Sequence, residues 1–387
     1  MDGPRLALVH DWLVGMRGGE KVLEAFCRLW PDAHVHTLLA DRAELSPLLR
    51  SRTIHTTPLQ RLPGVTRFYR HLLPLMPLAI RSLRVGAVDL VLSVSHCVAK
   101  AVPVPPGVPH LCYCNTPMRY AWHMREVYLE RLRPALRPLA RRLLGWLRAW
   151  DRDTAANVTW FLANSQNIRE RIADAYSRES VVVYPPVDTD FFTPAQVRRE
   201  DYYLVVSALV PYKRVELAVA ACQRTRRRLV VIGTGEEAAR LRAQAGPLIT
   251  FLGYQTTATI RDHLRRCRAL LFPGEEDFGI VPVEANACGT PVVAFGQGGA
   301  TETIVPPGQA AEPTGIWFPE QTIDCLAETL GKFEALAGEI KPSACRRQAL
   351  RFSTRQFEER MADVVARALS GRPLVDPPQA LPRRLAA

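Results

Sequence analysis

The sequence predicts an α/β protein built as two consecutive doubly wound domains, and three observations lead there. Short apolar runs of strand length alternate with helical stretches, the pattern of parallel sheets joined by crossover helices. A proline-rich break at residues 183–194 interrupts that alternation, which then restarts. The chain has 387 residues, enough to bury the cores of two or three domains.

In order, the first strand is expected over Leu6–Val9, followed by a turn containing Gly15, Gly18 and Gly19 and an amphipathic helix from Glu20 to about Trp30. Apolar runs at 35–39, 89–94, 110–113 and 158–163 supply further strands, with a helix over 166–176. Beyond the break come strands at 203–206 and 228–232, the latter closing on Gly233 and Gly235, with a helix from Val215 between them. Strands at 249–252, 269–272 and 291–295 alternate with helices at 257–267 and 281–288. The expected organisation is a first domain over 1–187, a second over 188–350, a helix over 351–370 that packs back on the first domain, and a frayed, proline-rich tail over 371–387. Ligands of open α/β sheets collect at the carboxyl ends of strands, so a cleft between two such domains is where chemistry is expected.

Composition narrows the class. With 48% apolar and 23% charged residues the chain is an ordinary globular protein, not a disordered or collagen-like one. The longest apolar run, Leu72–Ile80, has nine residues and two prolines, too short and too broken to span a bilayer. The first ten residues read as a strand and not as a signal peptide. Nine scattered cysteines without a C-x-x-C pair fit a reduced, cytosolic chain, and Cys112-x-Cys114 lacks a second pair at zinc-ligand spacing, so no metal site is expected. The net charge of +12 is lopsided. Up to residue 185 there are 25 basic and 15 acidic side chains; beyond it there are 25 and 23. The first half should therefore meet an acidic partner: nucleic acid, anionic lipid or a phosphorylated substrate.

The segment 272–293 carries the strongest chemical signal. A strand ending at Phe272 runs into a loop that opens a helix near Val281. Gly279 allows close backbone approach, and the free N–H groups of Phe278, Gly279, Ile280 and Val281, with the helix dipole behind them, favour a phosphate. Glu276 and Glu284 stand eight positions apart across that loop and helix. Carboxylates beside a phosphate suit paired sugar hydroxyls, which they accept from, so a sugar nucleotide satisfies both features. Read without its neighbours, Glu284 is equally an acid placed to favour the helix dipole.

This segment resembles the Glu-x7-Glu signature of the retaining family-4 glycosyltransferases, down to the run from Glu284 to Val292. The resemblance continues in the family's order over most of the chain: residues 11–21, 93–100, 163–168, 184–188 and 207–214. It is similar in particular to bacterial enzymes that use GDP-mannose to build O-antigen and capsule. The resemblance implies a GT-B architecture, two facing Rossmann-like domains with acceptor on the first and nucleotide sugar on the second. It implies that Glu276 holds the hexose hydroxyls, Glu284 the ribose, and Lys213 the donor diphosphate as the nucleotide leaves. It places His96 beside the transferred sugar, the amides of Gly18 and Gly19 on the diphosphate or acceptor, and base recognition at Gly233, Gly253 and Tyr254. Many relatives carry an arginine a few residues before this lysine, where the present chain has Ser207 and Ala208. No cofactor or divalent metal is expected beyond the donor itself.

Leucines 132, 136, 139, 143 and 147 recur at helical spacing, with Arg133, Arg137, Arg141 and Arg148 roughly opposite. Pro134 and Pro138 imply that the regular helix begins late or is kinked. Leu72–Ile80 is flanked by Arg67, Arg70, Arg81 and Arg84. Both layouts suit a helix lying in the plane of an anionic membrane, or an ordinary solvated arginine face. The expected activity is transfer of a hexose, mannose from GDP-mannose first, to a saccharide hydroxyl of an oligosaccharide or lipid-linked acceptor. The expected place is the inner face of the cytoplasmic membrane. A UDP-hexose donor is the alternative within the class, and a nucleotide-sugar epimerase the alternative outside it. A nucleic-acid partner is disfavoured, because the arginines are not interleaved with stacking aromatics.

Overall fold

The computed structural model describes residues 3–130 and 132–374; the part of the expected tail beyond 374 lies outside the described residues. The chain divides into two compact units, Met1–Val183 with Glu358–Ala387, and Tyr184–Phe357.

The first unit holds β1 (Leu6–His10), β2 (His34–Thr37), β3 (Ile54–Thr56), β4 (Leu90–Ser95), β5 (His110–Cys114), β6 (Trp160–Ala163) and β7 (Ser180–Val182). They form one sheet in the order β3-β2-β1-β4-β5-β6-β7, and every pairing is parallel. The second unit holds β8 (Tyr203–Val206), β9 (Leu229–Ile232), β10 (Ile249–Gly253), β11 (Leu270–Phe272), β12 (Val292–Phe295) and β13 (Gly315–Phe318). Their order is β10-β9-β8-β11-β12-β13, again all parallel. The central strands β1, β4, β5 and β12 are buried along their whole length. That is why they read as continuous apolar runs without alternation: crossover helices cover both faces of a parallel sheet.

In each sheet the chain winds outward from one strand and then returns to that strand's other side. The reversal falls between β1 and β4 in the first unit and between β8 and β11 in the second. Helices diverge from such a point in opposite directions, leaving an opening at the carboxyl ends of the two strands.

Several expectations change in detail. The first helix spans Gly18–Leu29 and begins two residues earlier than periodicity indicated, so Gly18 and Gly19 are its first turn and not a turn ahead of it. Strands β3, β7 and β13 lie outside the expected runs, being short and only partly buried. The leucine stripe of residues 132–147 does not form one buried face. A 3-10 turn at Pro134–Leu136 breaks the register, and the α-helix starts at Arg137 with Pro138 in its first turn. Leu144, Leu147 and Trp150 are buried there, while Leu136 (51% exposed), Leu139 (69%) and Trp146 (48%) face outward. Eight of the nine cysteines are buried and Cys325 is half-buried, all of them free.

Candidate functional site

The second unit places Lys213 and Glu276 at its reversal point. Lys213 lies in the 3-10 turn Pro211–Lys213 that follows β8, and Glu276 lies in the loop that follows β11. The two side chains form an ion pair, Lys213 Nζ to Glu276 Oε1, and both keep some exposure, 15% and 26%. Arg214, which follows in left-handed backbone, pairs with Glu216 and donates to the Gln321 carbonyl. Lys213 is thus the cation held against the signature glutamate.

Glycines fix the loop that carries Glu276. Gly279, at φ +84°, is the N-cap of the helix Ile280–Ala287, with no side chain capping the helix. The amides of its first turn have no carbonyl four residues earlier to bond to. On the far side, the Gly299 amide donates to the Glu276 carbonyl at 2.8 Å. A Cβ on Gly299 would stand 2.2 Å from Phe278 Cα, and one on Gly298 2.4 Å from the Glu276 carbonyl oxygen. Gly299→Ala is therefore expected to push residues 276–278 away from the turn that follows β12. A rise in donor KM, measured alongside urea denaturation, checks this, and an unchanged KM would show that the loop tolerates the shift.

Among the other predicted residues, Phe278 buries its ring against Tyr184 and Phe352, at 5.7 and 5.4 Å between centroids. Glu284 is buried within the helix, and Ile280 is that helix's first residue. Gly233 and Gly253 come together, the Gly233 amide donating to the Gly253 carbonyl at 2.8 Å. A Cβ on Gly233 would lie 1.8 Å from the Ser207 carbonyl oxygen, so the loop after β9 packs directly on the strand end that leads to Lys213. The Tyr254 ring stands 81% exposed beside them.

In the first unit His96 follows β4, again at the reversal point, and its side chain is 28% exposed. It is held by Asp11, the residue after β1 and the first of the segment 11–21. Asp11 Oδ2 accepts the His96 and Cys97 amides at 2.7 and 3.0 Å, and Oδ1 accepts those of Val98 and Ala99 at 2.6 and 2.7 Å. His96 Nδ1 lies 2.9 Å from Oδ2. A carboxylate only accepts, so Nδ1 carries a proton and donates it to Asp11. The ring rests edge-on against Trp12 at 4.6 Å. Burial works to raise the Asp11 pKa, yet the charge and hydrogen bond of His96 outweigh it and hold the carboxyl at about 2. An acid directly after a fully buried strand was the available signal.

Gly18 and Gly19 open the first helix, where the Glu20 carboxylate accepts the Arg17 amide at 3.1 Å. The site for Gly19's missing side chain is flanked by Asn115 Nδ2 and His10 Nε2, at 3.1 and 3.2 Å from a Cβ built there. His10 is fully buried and its pKa is lowered, chiefly by that burial. Lys100, at the end of the His96 loop, is no ligand residue. It is buried, with Nζ 2.7 Å from Asp151 Oδ1 and donating to Thr154 Oγ1 at 2.9 Å.

Two parallel Rossmann-like sheets with chemistry at their reversal points define the GT-B glycosyltransferase fold. Anabaena HepE, crystallised with UDP and glucose, superposes with a TM-score of 0.71 at 16% identity, over 94% of this chain and all of that one. The lipopolysaccharide outer core galactosyltransferase WaaB superposes with a TM-score of 0.63 at 15% identity, over 95% and 99% of the two chains. Residues 16–191 match the model of Glycosyltransferase Family 4, and residues 186–351 that of Glycosyl transferases group 1. The two halves of the chain thus each match a model of these glycosyltransferases, together over residues 16–351.

Curated relatives are similar at about 30% identity. A D-inositol 3-phosphate glycosyltransferase of Mycobacteroides abscessus is 31% identical over 211 residues, 49% of this chain and 46% of that protein. A GDP-mannose-dependent alpha-(1-6)-phosphatidylinositol monomannoside mannosyltransferase of Mycobacterium tuberculosis is 29% identical over 199 residues, 43% and 50% of the two chains. The chain spans about half the length of the curated relatives it matches.

Proposed function

We propose that the protein is a retaining hexosyltransferase that moves mannose from GDP-mannose to a saccharide hydroxyl, on a lipid-linked glycan of the cell surface. The observation that carries this reading is the Lys213–Glu276 pair at the β8/β11 reversal point. A cation and a carboxylate placed together there match the two ends of a sugar diphosphate: Lys213 meets the phosphate oxygens and Glu276 the hexose hydroxyls. Lys213 rather than a divalent metal then neutralises the charge that develops on the leaving nucleotide. In a front-face transfer the bond from the sugar's anomeric carbon to the phosphate oxygen breaks as the bond to the acceptor oxygen forms on the same side. The acceptor's proton passes to the departing phosphate. In the first unit, His96 Nε2 hydrogen-bonds a sugar hydroxyl.

Mannose and the guanine base are supported by relatives whose names specify GDP-mannose. A lipid-linked acceptor, and attachment at the inner face of the cytoplasmic membrane, are supported by exposed Leu75, Leu78, Leu139 and Trp146 on the arginine-rich first unit. No helix among the described residues is long and apolar enough to cross a membrane. An apolar stripe set among arginines suits a surface lying on anionic lipid. The test is thermal unfolding with GDP and with UDP, followed by transfer of radiolabelled sugar from each nucleotide donor to lipid-linked acceptors. GDP is expected to raise Tm more than UDP and GDP-mannose to be the donor used. A shift with UDP alone would overturn the mannose reading and leave a UDP-hexose enzyme.

A further inference from the structure

Away from both reversal points, the outer edge of the first sheet carries three of the chain's nine histidines. His34 and His36 alternate along β2 and so lie on one face of the sheet. The parallel register pairs His36 with His55 on the edge strand β3, which brings His55 to the same face. His34 Nδ1 lies 3.1 Å from His55 Nε2, and the His36 ring stacks on that of His55 at 4.8 Å and 20°. His34 and His55 are exposed, while His36 is buried beneath them with its Nδ1 unpartnered. The glycosyltransferase reading uses none of these side chains.

We propose that His34 Nδ1 and His55 Nε2 form a two-histidine site for a late first-row divalent metal ion, of the nickel, copper or zinc class. Imidazole nitrogens bind such ions at about 2.0–2.1 Å, which sets two neighbouring ligands about 2.9–3.4 Å apart at right-angled or tetrahedral geometry. The observed 3.1 Å falls inside that window. Stacking on His36 holds the His55 ring, and the strand pairing holds both Cα positions, so little order remains to be imposed on binding. Among the described residues no group of three or more histidine, cysteine, aspartate or glutamate side chains is placed to hold a metal. The site is therefore two imidazoles with water completing the coordination. Its consequence is local: β3 has three residues and pairs only with β2, and a metal bridging the two strands would pin the edge of the sheet.

The test is calorimetric titration of the untagged full chain with NiCl2 and with ZnCl2 at neutral pH, with Tm followed in parallel. The expected result is one metal ion per chain and a raised Tm, both lost in His34→Gln and in His55→Gln and both kept in His71→Gln, an exposed histidine elsewhere. Circular dichroism confirms that the exposed-site variants stay folded. A plain N–H···N hydrogen bond between the two rings predicts a different outcome, a metal-independent loss of Tm in the two variants and no stoichiometric binding by the wild type. That outcome, or binding that survives either substitution, overturns the proposal.

Discussion

Replacing Glu276 with alanine is expected to lower kcat for sugar transfer by about 100- to 1,000-fold, the usual effect of removing one preorganised polar group from a transition state. The fold should survive. The Lys213–Glu276 pair keeps some contact with solvent, at 15% and 26%, so water can take the place of the lost partner. Lys213→Ala should produce a loss of similar size, because each side chain orients the other. The double variant should then fall well short of the product of the two single effects. Glu276→Gln separates the duties of the carboxylate: it retains a hydroxyl acceptor but drops the charge facing Lys213. The measurement is steady-state kinetics on both variants with Tm as the folding control. Retained turnover in Glu276→Ala, with an unchanged Tm, would refute the assigned role.

What could be read from residues alone was the part of the fold that repeats a period. Buried strands such as β1 and β12 are apolar on both faces and stand out as runs. Edge strands do not, because β3 is Ile-His-Thr with both polar residues exposed. The Lys213–Glu276 pairing was accessible as two motif residues, but their contact was not. It depends on β8 and β11 being neighbours although strands β9 and β10 intervene in sequence. Asp11 shows the same limit more sharply. Its partners are 85 to 88 residues away in the chain, and no local pattern encodes that one carboxylate collects four consecutive amides. The late start of the leucine-rich helix was legible, because Pro134 and Pro138 announce it; that only its later turns bury apolar side chains was not, since burial depends on what packs against them.

Asp11→Asn is expected to give the second large effect, on activity and on stability together. The native carboxylate accepts four amides and the His96 ring. Asparagine offers one accepting oxygen, and its NH2 group must face amide donors, which leaves buried N–H groups unpaired. Breaking a buried, hydrogen-bonded charge in this way costs about 3–5 kcal/mol, read from urea denaturation at neutral pH. Without the carboxylate nothing fixes the proton on His96 Nδ1, so kcat should also fall, by about 100-fold or more. His96→Ala keeps the carboxylate with its four amides, so it should reduce transfer while losing only the part of the stability that the ring's pairing with Asp11 contributes.

The pH dependence supplies an independent check. The folded-state pKa of Asp11 is depressed to about 2 from an ordinary 3.8. The stabilisation it brings, roughly 2 kcal/mol from that shift, is fully present above the unfolded-state pKa and is lost as pH falls through the folded one. The gap in unfolding free energy between wild type and Asp11→Asn should be constant from neutrality down to about pH 5 and narrow only below the ordinary carboxylate range. A gap that narrowed near neutrality would instead place the titrating group on a histidine. The anchoring of the His96 loop by Asp11 would then not be the interaction that the substitution removes.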